Sequence, residues 1–344
     1  MSSRESLEKR LDRVISPIMH EGTPGMALLI ARGNEVVHRK AYGMADLEKK
    51  TAIRCDDNFV IASNTKQFTC MAIMMLKEQG LLTYDEPIAR FFPDFPEYRK
   101  YVTIRQLMNH QSGISEYFEE EKWKQWEGAE RANTDKMLGI IKTFGHLDFD
   151  PGTQYAYSNS AYVMLGNIVE QLSGMSFGSF LEKKILQPVG MTRSLVPDYM
   201  DHRSQTLIEG YTLQEDGSFA KQDYDMILVG YADGNMQSNV DDLWKWHQFV
   251  YKTDSELLMK RETMKDAFCE NFLKDGTATG YGFGLFLGSY EGHREVWHTG
   301  GTKGFISRCS RYIDDDLSII MLTNYEGLPK NQLYEEIAAE VFAE

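Results

Sequence analysis

Apolar residues recur at two different spacings along this chain, and the predicted architecture changes where the spacing does. Near the start, Leu7, Leu11, Val14, Ile15 and Ile18 fall three and four residues apart, the period of an amphipathic helix with one buried stripe. Two apolar stretches follow, 26–31 and 35–42, separated by Arg32-Gly33-Asn34, a turn signal that predicts an antiparallel hairpin. The far end repeats this texture. Strands are predicted at 282–287, 295–299, 304–312 and 317–323, the last after the acidic turn Asp314-Asp315-Asp316. A closing helix over 331–343 places Leu333, Ile337, Ala338 and Val341 on one face.

The middle, 63–246, reads as helices and loops. Phe68, Met71, Ile73, Met74, Met75 and Leu76 form one long apolar segment, and 160–174 reads as a helix with Val163, Leu165, Ile168, Val169 and Leu172 inward. The pattern therefore predicts an α/β (α+β) fold, an antiparallel β-sheet flanked by helices. Residues 1–62 and 247–344 supply the sheet lobe, and 63–246 a mainly helical lobe inserted into it. Two middle segments differ from their surroundings. Residues 116–136 are aromatic and acidic, with Tyr117, Phe118, Trp123 and Trp126 among Glu119, Glu120 and Glu121, which suits a lid or a partner-facing loop. Residues 196–229 are polar, with a hairpin turn signal at Glu215-Asp216-Gly217. Ser238-Asn239-Val240-Asp241, ahead of Leu243, Trp244 and Trp246, reads as a helix N-cap, which makes Asp241 and Asp242 structural.

Composition narrows the function classes. The 344 residues are 42% hydrophobic and 26% charged, as in a soluble globular protein. A net charge of −14 argues against nucleic acid or an anionic membrane as partner. No stretch reaches the roughly 18 apolar residues of a membrane span, and the charged first twenty residues do not read as an export signal, so the expected location is cytoplasmic. Cys55, Cys70, Cys269 and Cys309 show neither a C-x-x-C pair nor metal-ligand spacing, which predicts free, mostly buried thiols. The eight histidines contain no H-E-x-x-H, so neither a metal nor another cofactor is expected.

Candidate chemistry gathers in three short motifs. Ser63-Asn64-Thr65-Lys66 places a hydroxyl and an amine one helical turn apart, and a buried lysine that loses its proton can activate the serine. Tyr157-Ser158-Asn159 follows the Pro151-Gly152 turn and leads into the predicted helix at 160. His298-Thr299-Gly300-Gly301 ends an apolar strand with paired glycines, which let another backbone or a ligand come close.

Together, in this order, the motifs resemble the serine β-lactamase and penicillin-binding-protein superfamily. The nearest branch is the class C-type group of D-alanyl-D-alanine carboxypeptidases, D-amino-acid peptidases and carboxylesterases. Asn109-His110-Gln111-Ser112-Gly113-Ile114 is similar to that branch's N-H-T-S-G-L segment, with Gln111 in place of threonine. Residues 149–166 follow its F-x-P-G to Y-S-N to Y-x-x-L-G stretch, with one extra residue before Pro151, and Tyr281-Gly282-Phe283-Gly284 and Leu322-Thr323-Asn324 keep its order.

The resemblance implies a β-lactamase/transpeptidase-like fold with the active site in the cleft between the lobes. Ser63 is then the nucleophile, and Lys66 and Tyr157 share acid–base duty, with the principal base left open. Asn159, His298, Thr299, Gly300 and Gly301 bind substrate, and the backbone N–H groups of Ser63 and Gly301 form the oxyanion hole. Many β-lactamases have lysine where this chain has His298, which moves expectation from antibiotic hydrolysis toward a peptidase or esterase of small peptide-like amides or esters. β-Lactams remain expected acylating ligands. The alternatives are a β-lactamase or penicillin-binding protein, or a non-catalytic sensor or scaffold with the same fold. Asn64 departs from the small or apolar residue common between the serine and the Thr/Ser-Lys pair, without an explanation at this level.

Overall fold

The computed structural model describes residues 5–119, 134–197, 204–222, 231–252 and 256–343. The strand-forming runs at the two chain ends pair into one six-stranded antiparallel sheet. Its strands are β1 (Met26–Arg32), β2 (Glu35–Tyr42), β3 (Phe286–Tyr290), β4 (His293–Thr302), β5 (Phe305–Tyr312) and β6 (Leu317–Thr323). They lie in the order β2-β1-β6-β5-β4-β3. The ends of the chain meet where β1 pairs with β6, Met26 opposite Thr323 and Arg32 opposite Leu317. Every residue of β6 is buried, and its centre, Ile319 to Leu322, reads as a continuous apolar run rather than an alternating one.

The main helices are α1 (Leu7–Ile15), α2 (Lys66–Glu78), α3 (Asn159–Ser173), α4 (Val240–His247), α5 (Arg261–Lys265) and α6 (Lys330–Phe342). Leu11, Ile15, Leu333 and Ile337 of α1 and α6 cover one sheet face, against Leu28, Ile30, Ile319 and Met321. The other face, with Leu29, Ile320 and Leu322, packs on the helical layer through Phe68, Ile73 and Trp246. Local chemistry sets the helix ends. Ser6 caps α1 by accepting from the Lys9 N–H, and Pro17 stops it, so Ile18 packs from the following turn. Ser158 caps α3, accepting from Ala161 N at 3.1 Å, and Gly174 ends it at φ 66°. Asn239 caps α4 by accepting from Asp242 N, while Asp241 pairs with Arg39 at 2.7 Å.

The structure corrects two boundaries. The strand predicted at 282–287 starts only at Phe286. Gly284 lies at φ 75°, where a Cβ would stand 2.7 Å from the Lys66 carbonyl oxygen, so this stretch is a tight turn pressed on α2. The strand predicted at 295–299 runs on to Thr302 and takes in the whole His298-Thr299-Gly300-Gly301 motif.

The hairpin expected around Glu215-Asp216-Gly217 is present, with Tyr211–Leu213 antiparallel to Phe219–Lys221. Of the expected lid, Tyr117 is fully buried and so is an anchor rather than a flap; Trp123 and Trp126 lie outside the described residues. All four cysteines are free, and only Cys269 is exposed. Among the described residues no helix is long and apolar enough to cross a membrane.

Candidate active site

The chain reaches Ser63 through a strained turn. Ala62 adopts φ 48°, a left-handed conformation costly for alanine, and opens a 3₁₀ turn, Ala62–Thr65, that runs directly into α2. In a 3₁₀ turn residues i and i+3 eclipse, which sets Lys66 directly over Ser63. The fully buried Lys66 Nζ donates to Ser63 Oγ at 3.0 Å, Asn159 Oδ1 at 2.7 Å and the Asp233 carbonyl oxygen at 2.6 Å. Burial pulls its pKa down to about 8, against the opposing charges of Asp233 and Glu116. The Tyr157 hydroxyl hydrogen-bonds Ser63, yet burial raises its pKa well above the ordinary phenol value. Of the two candidate bases, Lys66 is the one that can be neutral near neutral pH.

A second tier of residues holds this group in place. Asn64, unexplained by sequence, donates to Ser307 Oγ at 2.8 Å, and Ser307 donates to the Ile61 carbonyl at 2.7 Å. Its carbonyl oxygen accepts from Gln67, which in turn accepts from Trp246 Nε1 at 2.6 Å. The Ser63 turn is thereby tied to β5 and to α4. Gly300 of β4 lies against the same turn, where an added Cβ would meet the Ile61 carbonyl oxygen at 2.2 Å and Ser307 Oγ at 2.4 Å.

His110 does the corresponding work for Tyr157. Its Nδ1 accepts from Ser158 N at 3.0 Å, its carbonyl accepts from Ala156 N at 3.0 Å, and its ring packs 4.2 Å from that of Tyr157. Burial, with the charge of Lys66 beyond it, holds His110 well below the usual imidazole pKa, so the ring is neutral.

Two acidic residues that the sequence did not single out border Lys66. Asp233 is buried and accepts from the Tyr117 hydroxyl at 3.0 Å and from Tyr231 N at 2.8 Å. Glu116 is half-buried and accepts from the Asn159 N–H at 2.6 Å. Burial pushes the Glu116 carboxyl up to about 7, the Asp233 charge adding to it and the N–H groups of Asn159 and Phe118 opposing. Glu116 was visible only as one acid among several in a segment read as a lid, and Asp233 falls in no motif.

Both ring nitrogens of His298 are engaged, and its ring lies 6.0 Å from that of Tyr157. Its Nδ1 donates to the Thr299 carbonyl at 2.5 Å, which leaves Nε2 to accept from the Tyr281 hydroxyl at 3.1 Å. It is 1% exposed, and burial followed by the Lys66 charge lowers its pKa to about 3. Thr299, Gly300 and Gly301 follow on β4 beyond Trp297, the last residue that β3 pairs. Lys303 sits in the turn between β4 and β5.

The sequence matches the Beta-lactamase family over residues 11–343. It is 30% identical over 339 residues to penicillin-binding protein 4* of Bacillus subtilis, covering 94% of this chain and 73% of that one. The chain belongs to the beta-lactamase family. Within it, a D-aminopeptidase of Brucella canis is 30% identical over 318 residues, 88% of this chain, which itself spans 57% of that relative. Among solved structures, an octameric penicillin-binding protein homologue from Pyrococcus abyssi superposes with a TM-score of 0.84 at 25% identity, over 98% of this chain and 77% of that one. A D-amino acid amidase from Ochrobactrum anthropi SV3 shares the fold with a TM-score of 0.82 at 20% identity, covering 98% of each chain. As a beta-lactamase-family member the protein is a serine hydrolase.

Proposed function

We propose that the protein cleaves the amide bond after an unblocked D-amino acid, in a short peptide or a simple amide, through an acyl-enzyme on Ser63. The sign of the charge around the nucleophile carries this reading. Glu116 places a carboxylate beside Lys66 and Asn159, suited to a substrate ammonium. The position that would need a cation for a substrate carboxylate holds His298, buried and neutral. The D-aminopeptidase likeness supports the same substrate class.

Hydrogen-bond chemistry then assigns the steps. Neutral Lys66 keeps two N–H groups for Asn159 Oδ1 and the Asp233 carbonyl and accepts the Ser63 proton, because Ser63 is the only one of its three partners that can donate. Ser63 Oγ attacks the substrate carbonyl carbon, and the oxyanion is received by the N–H groups of Ser63 and Gly301. The proton carried by Lys66 passes to the departing amine, with Tyr157, protonated throughout, hydrogen-bonded to Ser63 Oγ. Lys66, neutral again once its proton has left with the amine, takes a proton from water; the water oxygen attacks the acyl carbon, and the proton returns to Ser63 Oγ as the ester bond breaks and the D-amino acid leaves.

Esters and β-lactams would acylate Ser63 by the same route, so carboxylesterase activity is an accessory expectation. The free cysteines fit a reducing, cytoplasmic setting. Intact mass after incubation with a fluorescent penicillin and with p-nitrophenyl acetate tests the acyl-enzyme. The expected result is a mass increase or nitrophenol release that Ser63→Ala abolishes; an adduct or turnover that persists in Ser63→Ala would contradict the assignment.

A further inference from the structure

Away from the nucleophile, a cavity of about 400 Å³ opens between the sheet and α5, within the range of small-molecule sites, and its lining includes none of Ser63, Lys66, Tyr157 or Glu116. Its walls are largely apolar, built from Val250, Met264, Phe268, Leu287 and Val296. Most charges at its rim are already paired. Arg294 makes a two-pronged contact with Asp314 at 2.7 and 2.5 Å, and Lys265 pairs with Glu262 at 3.1 Å. The Glu295 carboxylate is held by Arg308 at 2.9 Å, and Glu270 accepts from Gly280 N at 2.8 Å.

Arg261 is the exception. Its Nη1 donates to the Val250 carbonyl at 3.1 Å and contacts Met264 Sδ at 2.8 Å, but no carboxylate among the described residues pairs with it, and Nε and Nη2 have no acceptor there. Tyr251, also in the lining, has no hydrogen-bond partner for its hydroxyl among the described residues. Both Val250 and Tyr251 belong to a π-helical stretch, Gln248–Lys252, a local geometry that recurs at functional sites.

An apolar cavity bordered by a guanidinium with no carboxylate partner among the described residues matches a ligand with a hydrocarbon body and one anionic head. We propose that this cavity binds a small amphipathic monocarboxylate, its chain against Met264, Leu287 and Val296 and its carboxylate on Arg261.

Calorimetric titration of the full chain with sodium octanoate, and with uncharged octanamide, tests the assignment. One octanoate is expected to bind per chain, with octanamide at least about tenfold weaker. Arg261→Gln should erase the difference between the two ligands, Arg261→Lys should keep part of it, and Leu287→Trp should abolish binding by filling the cavity. The melting temperature of each variant shows whether it folds, and if Arg261→Gln does not, the octanamide and Leu287→Trp arms decide alone. No octanoate binding to the native chain would overturn the proposal. So would equal affinity for octanamide, or binding that folded Arg261→Gln and Leu287→Trp leave unchanged, as for a ligand held in the catalytic cleft.

Discussion

Lys66 gives hydrogen bonds to three acceptors, and only Ser63 can return one. Base catalysis by Lys66 therefore requires loss of a proton from a group whose pKa burial sets at about 8. With p-nitrophenyl acetate, which carries no amine of its own, kcat/KM should rise with pH along a limb centred near 8. Tyr157→Phe should lower kcat by about 10²–10⁴ while keeping that limb; loss of the limb in this variant would make the phenol the base. The Glu116 charge raises the Lys66 pKa, so Glu116→Gln should move the limb to lower pH.

Stability adds an independent check on Glu116. Its folded pKa, about 7, lies above the ordinary 4.5, so the folded state holds a proton that the unfolded chain has released, and the site loses stability as pH rises between those values. Glu116→Gln should raise the melting temperature at pH 8 and leave it nearly unchanged at pH 4, measured by thermal unfolding in both buffers. Spacing and motif order pointed to Ser63, Lys66, Tyr157 and Asn159, four side chains that the fold brings together. They could not find Glu116 and Asp233, whose importance comes from burial and from distant neighbours such as Tyr117 and Asn159.

At the level of elements, the site depends on how closely β4 approaches the Ser63 turn. A methyl group at Gly300 would collide with the Ile61 carbonyl and Ser307 Oγ, both backbone or tightly bonded. Gly300→Ala should displace the strand and lower kcat/KM by about 10² or more even in folded protein, readable with the same ester. Asn64→Ala leaves the buried Ser307 hydroxyl without its donor and Gln67 without its acceptor, a cost of about 1–3 kcal/mol in urea unfolding. Period-two and helical patterns placed β1, β2, β5, β6 and α3 closely. They overran at 282–285, where Gly284 turns the chain against Lys66, because an apolar run cannot report a positive φ.

Over the whole molecule, pairing of β1 with β6 joins the two chain ends beneath the catalytic layer. Ile337 of α6 is fully buried against this sheet, so Ile337→Ala should cost about 2–5 kcal/mol. Because the sheet unites both ends, catalytic activity and far-UV circular dichroism should be lost in one shared transition on urea titration; two separated transitions would mean that the helical segment folds independently. The two-ended sheet was legible from the repeated strand texture at both termini. Its strand order was not, since spacing does not say which strands pair.

The most direct test of the charge logic is turnover of D-phenylalanine amide, its N-acetyl derivative and the L-amide by the native protein, Ser63→Ala and Glu116→Gln. The native protein should hydrolyse the free D-amide, and Ser63→Ala should abolish that turnover. N-Acetylation should reduce kcat/KM by about 10² or more, and Glu116→Gln should remove most of that gap. Equal turnover of the free and acetylated amides by the native protein, or D-amide hydrolysis that survives Ser63→Ala, would contradict the proposed function.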